Sequence, residues 1–584
     1  MVHTVVRTRQ GCLTLLLAVL LTSSWPAVLA AAPTVGEMAT PYAIVGDDVS
    51  VPEMVETINQ RIQARWKEEK VKPSDFCSDF EFIRRASLDI IGRIATREEI
   101  ERFLKDKPEV RRSQLIDRLL ESDEYARHWA NVWANWLLTR SGAFGKGLYK
   151  EQMTDWLEEQ FKQNKPYSQI VTDLITASGT NTENGAVNFV LAHVGEAVPR
   201  DQQAKYGQFQ MVPLTSRITR LFLGTQVQCA QCHDHPFLGT VKQEHFWGVN
   251  AFLRQVVREG TPPTRRRDMP GPLTLRENPR ANSRGIVSFE KRNGVLLATR
   301  AVFLPDFKVE DSKGKKLDLD PDAPSRREQL ARFLLDHPNF ARAWVNRMWS
   351  VFFARGIVHP MDDFNENTIP SHPELLDALA AKAKHYNYDQ KKLIRWLCNS
   401  LPYHLSPVAN PTNDTEDHAQ LFSRMNIKSL SPEQLFDSLN VATEGKVLDR
   451  KATAEKRARW LDRLIGNFGD DEGNEVNFNG TVVQALLMMN GEDINQAITR
   501  ANEGTVANTM KKVGGNITNI RQYNQVINDL YRAALNRPAS DQERRLLLAR
   551  FPLRRQFQGS DSWRKRADDL FWALLNSNEF LLNH

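Results

Sequence analysis

The sequence predicts a mainly α protein: two helical halves with a small β-hairpin insertion between them. Three observations carry this. Apolar residues recur at three- and four-residue steps through most of the chain from Val51 onward. The clearest β signal, in Ile286–Phe289 and Val295–Phe303, flanks Asn293-Gly294, a preferred type I′ hairpin turn. A charged stretch, Glu310–Asp322, then separates this hairpin from a second series of helical patterns that begins at Ser325.

The chain opens as a secretory signal over residues 1–30. Arg7 and Arg9 form a basic leader, Leu13–Leu21 an apolar core too short for a comfortable membrane span, and Val28-Leu29-Ala30 a small-residue cleavage site. Cys12 precedes the apolar core and so is not a lipoprotein anchor. Export follows, to the periplasm or beyond the cell, with Ala31 near the mature terminus. No later stretch is apolar enough to span a bilayer. The chain carries 77 Lys and Arg against 71 Asp and Glu, close to balanced over 584 residues, which does not argue for nucleic acid as a partner.

Residues 31–50 read as a leader into the fold, and 51–258 as the amino-terminal helical domain. Val55, Ile58, Ile62 and Trp66 form one helical face. Pro73-Ser74-Asp75 ends that element and caps the next. Thr96 and Glu99 form a capping box. Trp129, Trp133 and Trp136 form a helical stripe that reads as core packing. Gly179–Gly185 reads as a loop, and a helix from Pro213 delivers the chain to Cys229. Residues 259–324 form the insertion: an exposed loop over 259–284 containing Arg265-Arg266-Arg267, then the hairpin, then the linker. Residues 325–584 form the carboxyl-terminal helical domain, in which Ser431 is an N-cap followed by Pro432 at the first helical position. The short linker and the abundant apolar faces of the second half predict that the two halves act as one unit.

The chemistry concentrates in Gln228-Cys229-Ala230-Gln231-Cys232-His233-Asp234-His235-Pro236-Phe237. This contains C-x-x-C-H, the spacing at which haem c is attached, with His233 as the proximal ligand. Only five cysteines occur in the chain. Three readings stand: a covalent haem on Cys229 and Cys232; a zinc-like site using Cys229, Cys232, His233 and His235; or a plain Cys229–Cys232 disulfide. For a haem, Met269 in Asp268-Met269-Pro270-Gly271 is a candidate sixth ligand, with His245 and His193 as rivals. Cys77 and Cys398 read as buried thiols, with a bridge between them open. No G-x-S-x-G, H-E-x-x-H or Walker loop is present. Asp362-Asp363 with His372 is the best alternative constellation for a metal.

Several of these stretches resemble a planctomycete secreted family. Asp79-Phe80-Glu81-Phe82-Ile83-Arg84-Arg85 through Leu88-Asp89-Ile90-Ile91-Gly92, and Leu223–Gln228 with the cysteine motif, resemble its cytochrome-c-like domain of unknown function 1549. Trp344-Val345-Asn346-Arg347-Met348-Trp349, Asp362-Asp363-Phe364, Pro370–Leu376 and Leu574–Phe580 resemble the companion domain of unknown function 1553. The resemblance spans about residues 50–584. After Phe237 the chain departs from the acidic and aromatic run common in the family, with Leu238-Gly239-Thr240 and His245 in part of its place. The resemblance implies a secreted, cytochrome-c-like protein. Two function classes follow: an exported redox protein exchanging electrons with a partner protein, or a metal-dependent enzyme or surface protein.

Overall fold

The structure, a computed structural model, describes residues 42–138, 143–145, 147–236, 238–263, 270–304, 325–465, 498–499, 503–553 and 560–584. Residues 1–30, read above as a secretory signal, Met269, the arginine triplet and the Glu310–Asp322 linker lie outside the described residues.

The protein is mainly helical, with small antiparallel sheets. Local capping chemistry sets many of the helix starts. The Thr96–Glu99 capping box opens helix Arg97–Lys105, and Ser431 with Pro432 opens Pro432–Glu444. Ser325 caps Arg326–Asp336. One start differs from the sequence reading. Helix Asp79–Ile91 is capped by Ser78 rather than by Ser74-Asp75. The intervening residues are held extended by a Phe76–Leu405 bridge and by the Cys77 amide, which donates to the His404 carbonyl.

The apolar faces merge into one core that runs from Val51 to Met425 and crosses the insertion. Helix Arg326–Asp336 packs on Tyr167–Thr176, Pro338–Phe353 on Val212–Leu223, and Gln390–Asn399 on Ser50–Glu68. The tryptophan stripe is core, as its spacing predicts: Trp129, Trp133 and Trp136 are buried, and Tyr167 links Trp133 to Trp344 through ring contacts of 5.3 and 5.0 Å. Truncating such a side chain to Ala typically costs about 3–5 kcal/mol.

A second core gathers residues from Leu430 to Phe580, together with Leu88 and Ile94 from the amino-terminal half. Helix Asp79–Ile91 lies between the two. Arg84 donates to the carbonyls of Ala534, Glu579 and Phe580 at 2.8–3.2 Å. Arg85 donates to the carbonyls of Tyr403, Leu405 and His584. Asp89 accepts from Tyr403 Oη at 2.8 Å, Asn583 Nδ2 at 2.7 Å and Lys428 Nζ at 2.6 Å. All three charged side chains are buried. A buried charge is tolerable only when partnered, so these residues bind the chain's beginning to its end.

The sheets bring two corrections. Neither residues 259–284 nor Gly179–Gly185 are wholly loop: Thr274–Glu277 pairs with Val256–Glu259 on one side and Gly179–Thr180 on the other. Strands of two to four residues are too short to show alternation in sequence. The hairpin pairs Ile286–Glu290 with Leu296–Arg300, but its turn is not type I′. That turn needs positive φ at both central residues, whereas only Gly294, at φ 80°, is left-handed there. The Gly294 amide donates to the Lys291 carbonyl and the Lys291 amide to that of Val295, the pattern of a three-residue loop closed by a glycine bulge.

Candidate functional site

Helix Val212–Leu223 stops at Gly224, which is left-handed at φ 63°. A Cβ here would lie 2.5 Å from the Phe364 ring, so both conformation and space require glycine. The chain then forms a short 3₁₀ turn, Gln228–Gln231. Residues three apart share a face of such a turn. Val227 and Ala230 point into the core, while Cys229 and Cys232 are both exposed and both free thiols. Cys77 and Cys398 are free and buried.

The next residue is oriented by the backbone. Nδ1 of His233 lies 2.7 Å from the Asp234 carbonyl oxygen. A carbonyl only accepts, so Nδ1 carries the proton and Nε2 of the neutral ring keeps its lone pair. His235 is tied the opposite way: its Nδ1 accepts the Leu238 amide at 3.2 Å. His245 likewise accepts the Lys242 amide at 3.0 Å, closing a capping box on helix Gln243–Ala251. Ligation through Nε2 of either ring would move a proton to Nδ1 and break that bond. Burial lowers both imidazole pKa values, opposed at His235 by the nearby Asp363 carboxylate. His193, the other rival ligand, donates from Nδ1 to the Phe189 carbonyl at 2.9 Å and is held at about 4, first by burial and then by Arg217.

Three neighbours fix the motif loop. The Gln231 carbonyl accepts from Trp247 Nε1 at 3.1 Å and from Gln243 Nε2 at 3.2 Å. Gln243 also reaches the Glu290 carbonyl of the hairpin, and its amide donates to Asp234 Oδ1 at 2.9 Å. Trp247 stacks on Phe289, so the hairpin backs the site. The third neighbour is the 362–366 segment. Asp362 is ion-paired with Arg220 and accepts from Gln226 Nε2 at 3.1 Å. The Phe364 amide donates to the Gly224 carbonyl at 2.8 Å, and Glu366 accepts the Gly239 amide at 2.7 Å.

Asp362-Asp363 and His372 therefore do not assemble as a metal constellation. Asp362 serves the motif loop, and Asp363 accepts from Asn365 and Thr368. His372 packs against the Phe422 ring, where burial, then Arg65, pushes its pKa down to about 4. Among the described residues, no group of three or more His, Cys, Asp or Glu side chains converges to hold a metal ion. The sequence did not single out Gln243, Trp247 and Glu366 as supports of the loop. Nothing in their local spacing distinguishes them from ordinary helix and loop residues.

Among the described residues, no helix is long and apolar enough to cross a membrane. Residues 57–258 match PSCyt2, described as a protein of unknown function (DUF1549), and residues 326–461 match PSD1, described as a protein of unknown function (DUF1553). No curated protein and no solved structure matches the chain. The two matches fall on either side of the hairpin, in the order the motifs led us to expect, and the chain belongs to the family that joins a DUF1549 region to a DUF1553 region.

Proposed function

We propose that the protein is an exported c-type-cytochrome-like redox protein that carries one covalent haem on Cys229 and Cys232, with His233 as proximal ligand. One observation carries this reading: both thiols are free and exposed, Cys229 on the 3₁₀ turn and Cys232 capping its end, directly followed by a histidine whose neutral ring keeps its lone pair on Nε2. Thioether attachment needs two accessible thiols, and iron ligation needs that nitrogen. A haem held there supplies a one-electron iron couple. The protein's part is to hold the turn rigid from three sides, to fix the His233 tautomer through the Asp234 carbonyl, and to leave the thiol face open to a partner protein that exchanges electrons. The zinc reading has weaker support. Its fourth donor, His235, already uses Nδ1 as an acceptor, and among the described residues no group of three or more His, Cys, Asp or Glu side chains converges around it.

The test is to purify the protein from a host with c-type maturation and extract it with acid acetone. Colour retained by the wild type, and weakened in Cys229→Ala and Cys232→Ala, is the expected result. A correctly exported, colourless protein containing stoichiometric zinc would replace this reading with the metal site.

A further inference from the structure

The hairpin that backs the cysteine motif has a free edge. Its strands, Ile286–Glu290 and Leu296–Arg300, form a two-stranded sheet of their own. Two bonds bracket the ladder. The Ala301 amide donates to the Gly285 carbonyl at 3.0 Å, and the Lys291 amide to that of Val295 at 2.9 Å. Bonded and non-bonded pairs alternate along antiparallel strands. The bonded pairs between those two ends are therefore Val287 with Thr299 and Phe289 with Leu297. The amides and carbonyls of Leu296, Ala298 and Arg300 face outward instead, and among the described residues no strand pairs with them.

This edge lacks the usual protection. Exposed edges are commonly blunted by charged residues or proline, whereas Val295-Leu296-Leu297-Ala298-Thr299 holds neither. Residues 290–298 are all exposed, the Leu296 side chain by 70%. Elsewhere among the described residues the exposed large apolar side chains stand singly, but here three are consecutive. Single ones need no explanation; a contiguous patch marks a contact site. Phe289 packs inward on Trp247, and its cross-strand neighbour Leu297 shares that face. Leu296, Ala298 and Arg300 lie on the outer face.

The flanks of the patch are basic. Arg284, Lys291, Arg292 and Arg300 are exposed on the hairpin, against the single acid Glu290. Two positive hairpins repel each other, which disfavours a second copy of the chain as the occupant. A lipid surface would cover Leu296 but leave the outward amides and carbonyls without partners. An extended peptide answers both needs, because it bonds along the edge through its main chain.

We propose that the outer edge of Leu296–Arg300 docks an extended acidic segment of a partner protein, which adds to the hairpin as a third strand. Apolar side chains of that segment lie beside Leu296 and Ala298, and its acids meet Arg300 at one end and Lys291 and Arg292 at the other. Gln243 bonds both the Glu290 carbonyl of the hairpin and the Gln231 carbonyl of the motif loop, so the docked segment lies close to the exposed thiols. The inference stands whether or not those thiols carry a haem.

Fluorescence polarisation tests this, with the full chain titrated into three labelled, end-capped peptides. The sequence DEVTVTVED supplies an acidic strand, KKVTVTVKK reverses its charge, and DEVTPTVED removes a central amide donor. The acidic strand should bind saturably, and about tenfold or more tighter than either of the others. Ala298→Pro removes an outward amide while sparing the bonds of Leu297 and Thr299 to the neighbouring strand, so it should weaken binding by about tenfold or more. Leu296→Glu, at an exposed position, should do the same and carries the test if Ala298→Pro fails to fold. No saturable binding of the acidic strand, equal binding of the lysine or proline peptide, or unchanged affinity in a folded variant would overturn the proposal. So would peptide-free dimers in sedimentation that Leu296→Glu abolishes, which would make a second copy the occupant. Co-sedimentation with phosphatidylglycerol vesicles that Leu296→Glu abolishes would overturn it in favour of a lipid surface.

Discussion

Arg220, on the last turn of the helix that leads into the cysteine motif, is ion-paired with Asp362 from the other half of the chain. The Asp362 side chain is 1% exposed and that of Arg220 13%, so the pair is screened little by solvent. With the Phe364–Gly224 backbone bond beside it, the pair makes the motif loop a shared product of both family regions.

Asp362→Ala should therefore leave the Arg220 charge and the Gln226 amide without this acceptor. Breaking a buried pair from one side typically costs about 3–5 kcal/mol. Urea unfolding should show a loss of that order, whereas Glu374→Ala, at an exposed pair with Arg61, should change stability far less. Equal effects at the two positions would contradict the picture of a buried clamp.

Arg84→Ala should loosen the second core specifically. It leaves two buried carbonyls, those of Ala534 and Phe580, and the part-buried Glu579 carbonyl without this donor, at about 1–3 kcal/mol for each buried group left unsatisfied. The readout is limited proteolysis: cleavage should quicken between residues 503 and 584 while the Val51–Met425 core resists. Uniform acceleration along the chain would instead mean that the two cores unfold as one.

Acid should destabilise the fold through three histidines, two of them buried and His128 half-buried. His128, His193 and His372 are held at about 4 in the folded protein, chiefly by burial, against an ordinary value near 6.5. The unfolded chain takes up these protons first. The neutral rings thus favour folding fully above about pH 6.5, and the advantage drains away as pH falls towards 4, by at most about 3 kcal/mol per group. His372→Gln should flatten the stability profile across that window. A profile as steep as the wild type's would place the acid sensitivity elsewhere.

The parts legible in the sequence are those governed by neighbours within a few residues. Thr96–Glu99 and Ser431-Pro432 announce their helices because capping is local chemistry, and the tryptophan stripe announces core because helical spacing repeats. The short strand Thr274–Glu277 was hidden, since four residues are too few to show alternation and one of its two partners, Gly179–Thr180, lies almost a hundred residues earlier. Asn293-Gly294 marked the hairpin correctly but not its turn, because the dipeptide does not fix how many residues the loop contains. At the site, C-x-x-C-H was plain. The support of the motif by Asp362 was not, because 142 residues separate Asp362 from Arg220. Two adjacent aspartates read equally well as metal ligands until their partners are seen.

The most direct measurement is the haem content of the protein after denaturation in alkaline pyridine. The proposed function predicts one haem per chain, with the absorption of a haem whose two vinyl groups are both saturated by thioethers, and none in a Cys229→Ala, Cys232→Ala double variant. A wild-type protein matured alongside a functioning c-type cytochrome, yet carrying no haem, would contradict it.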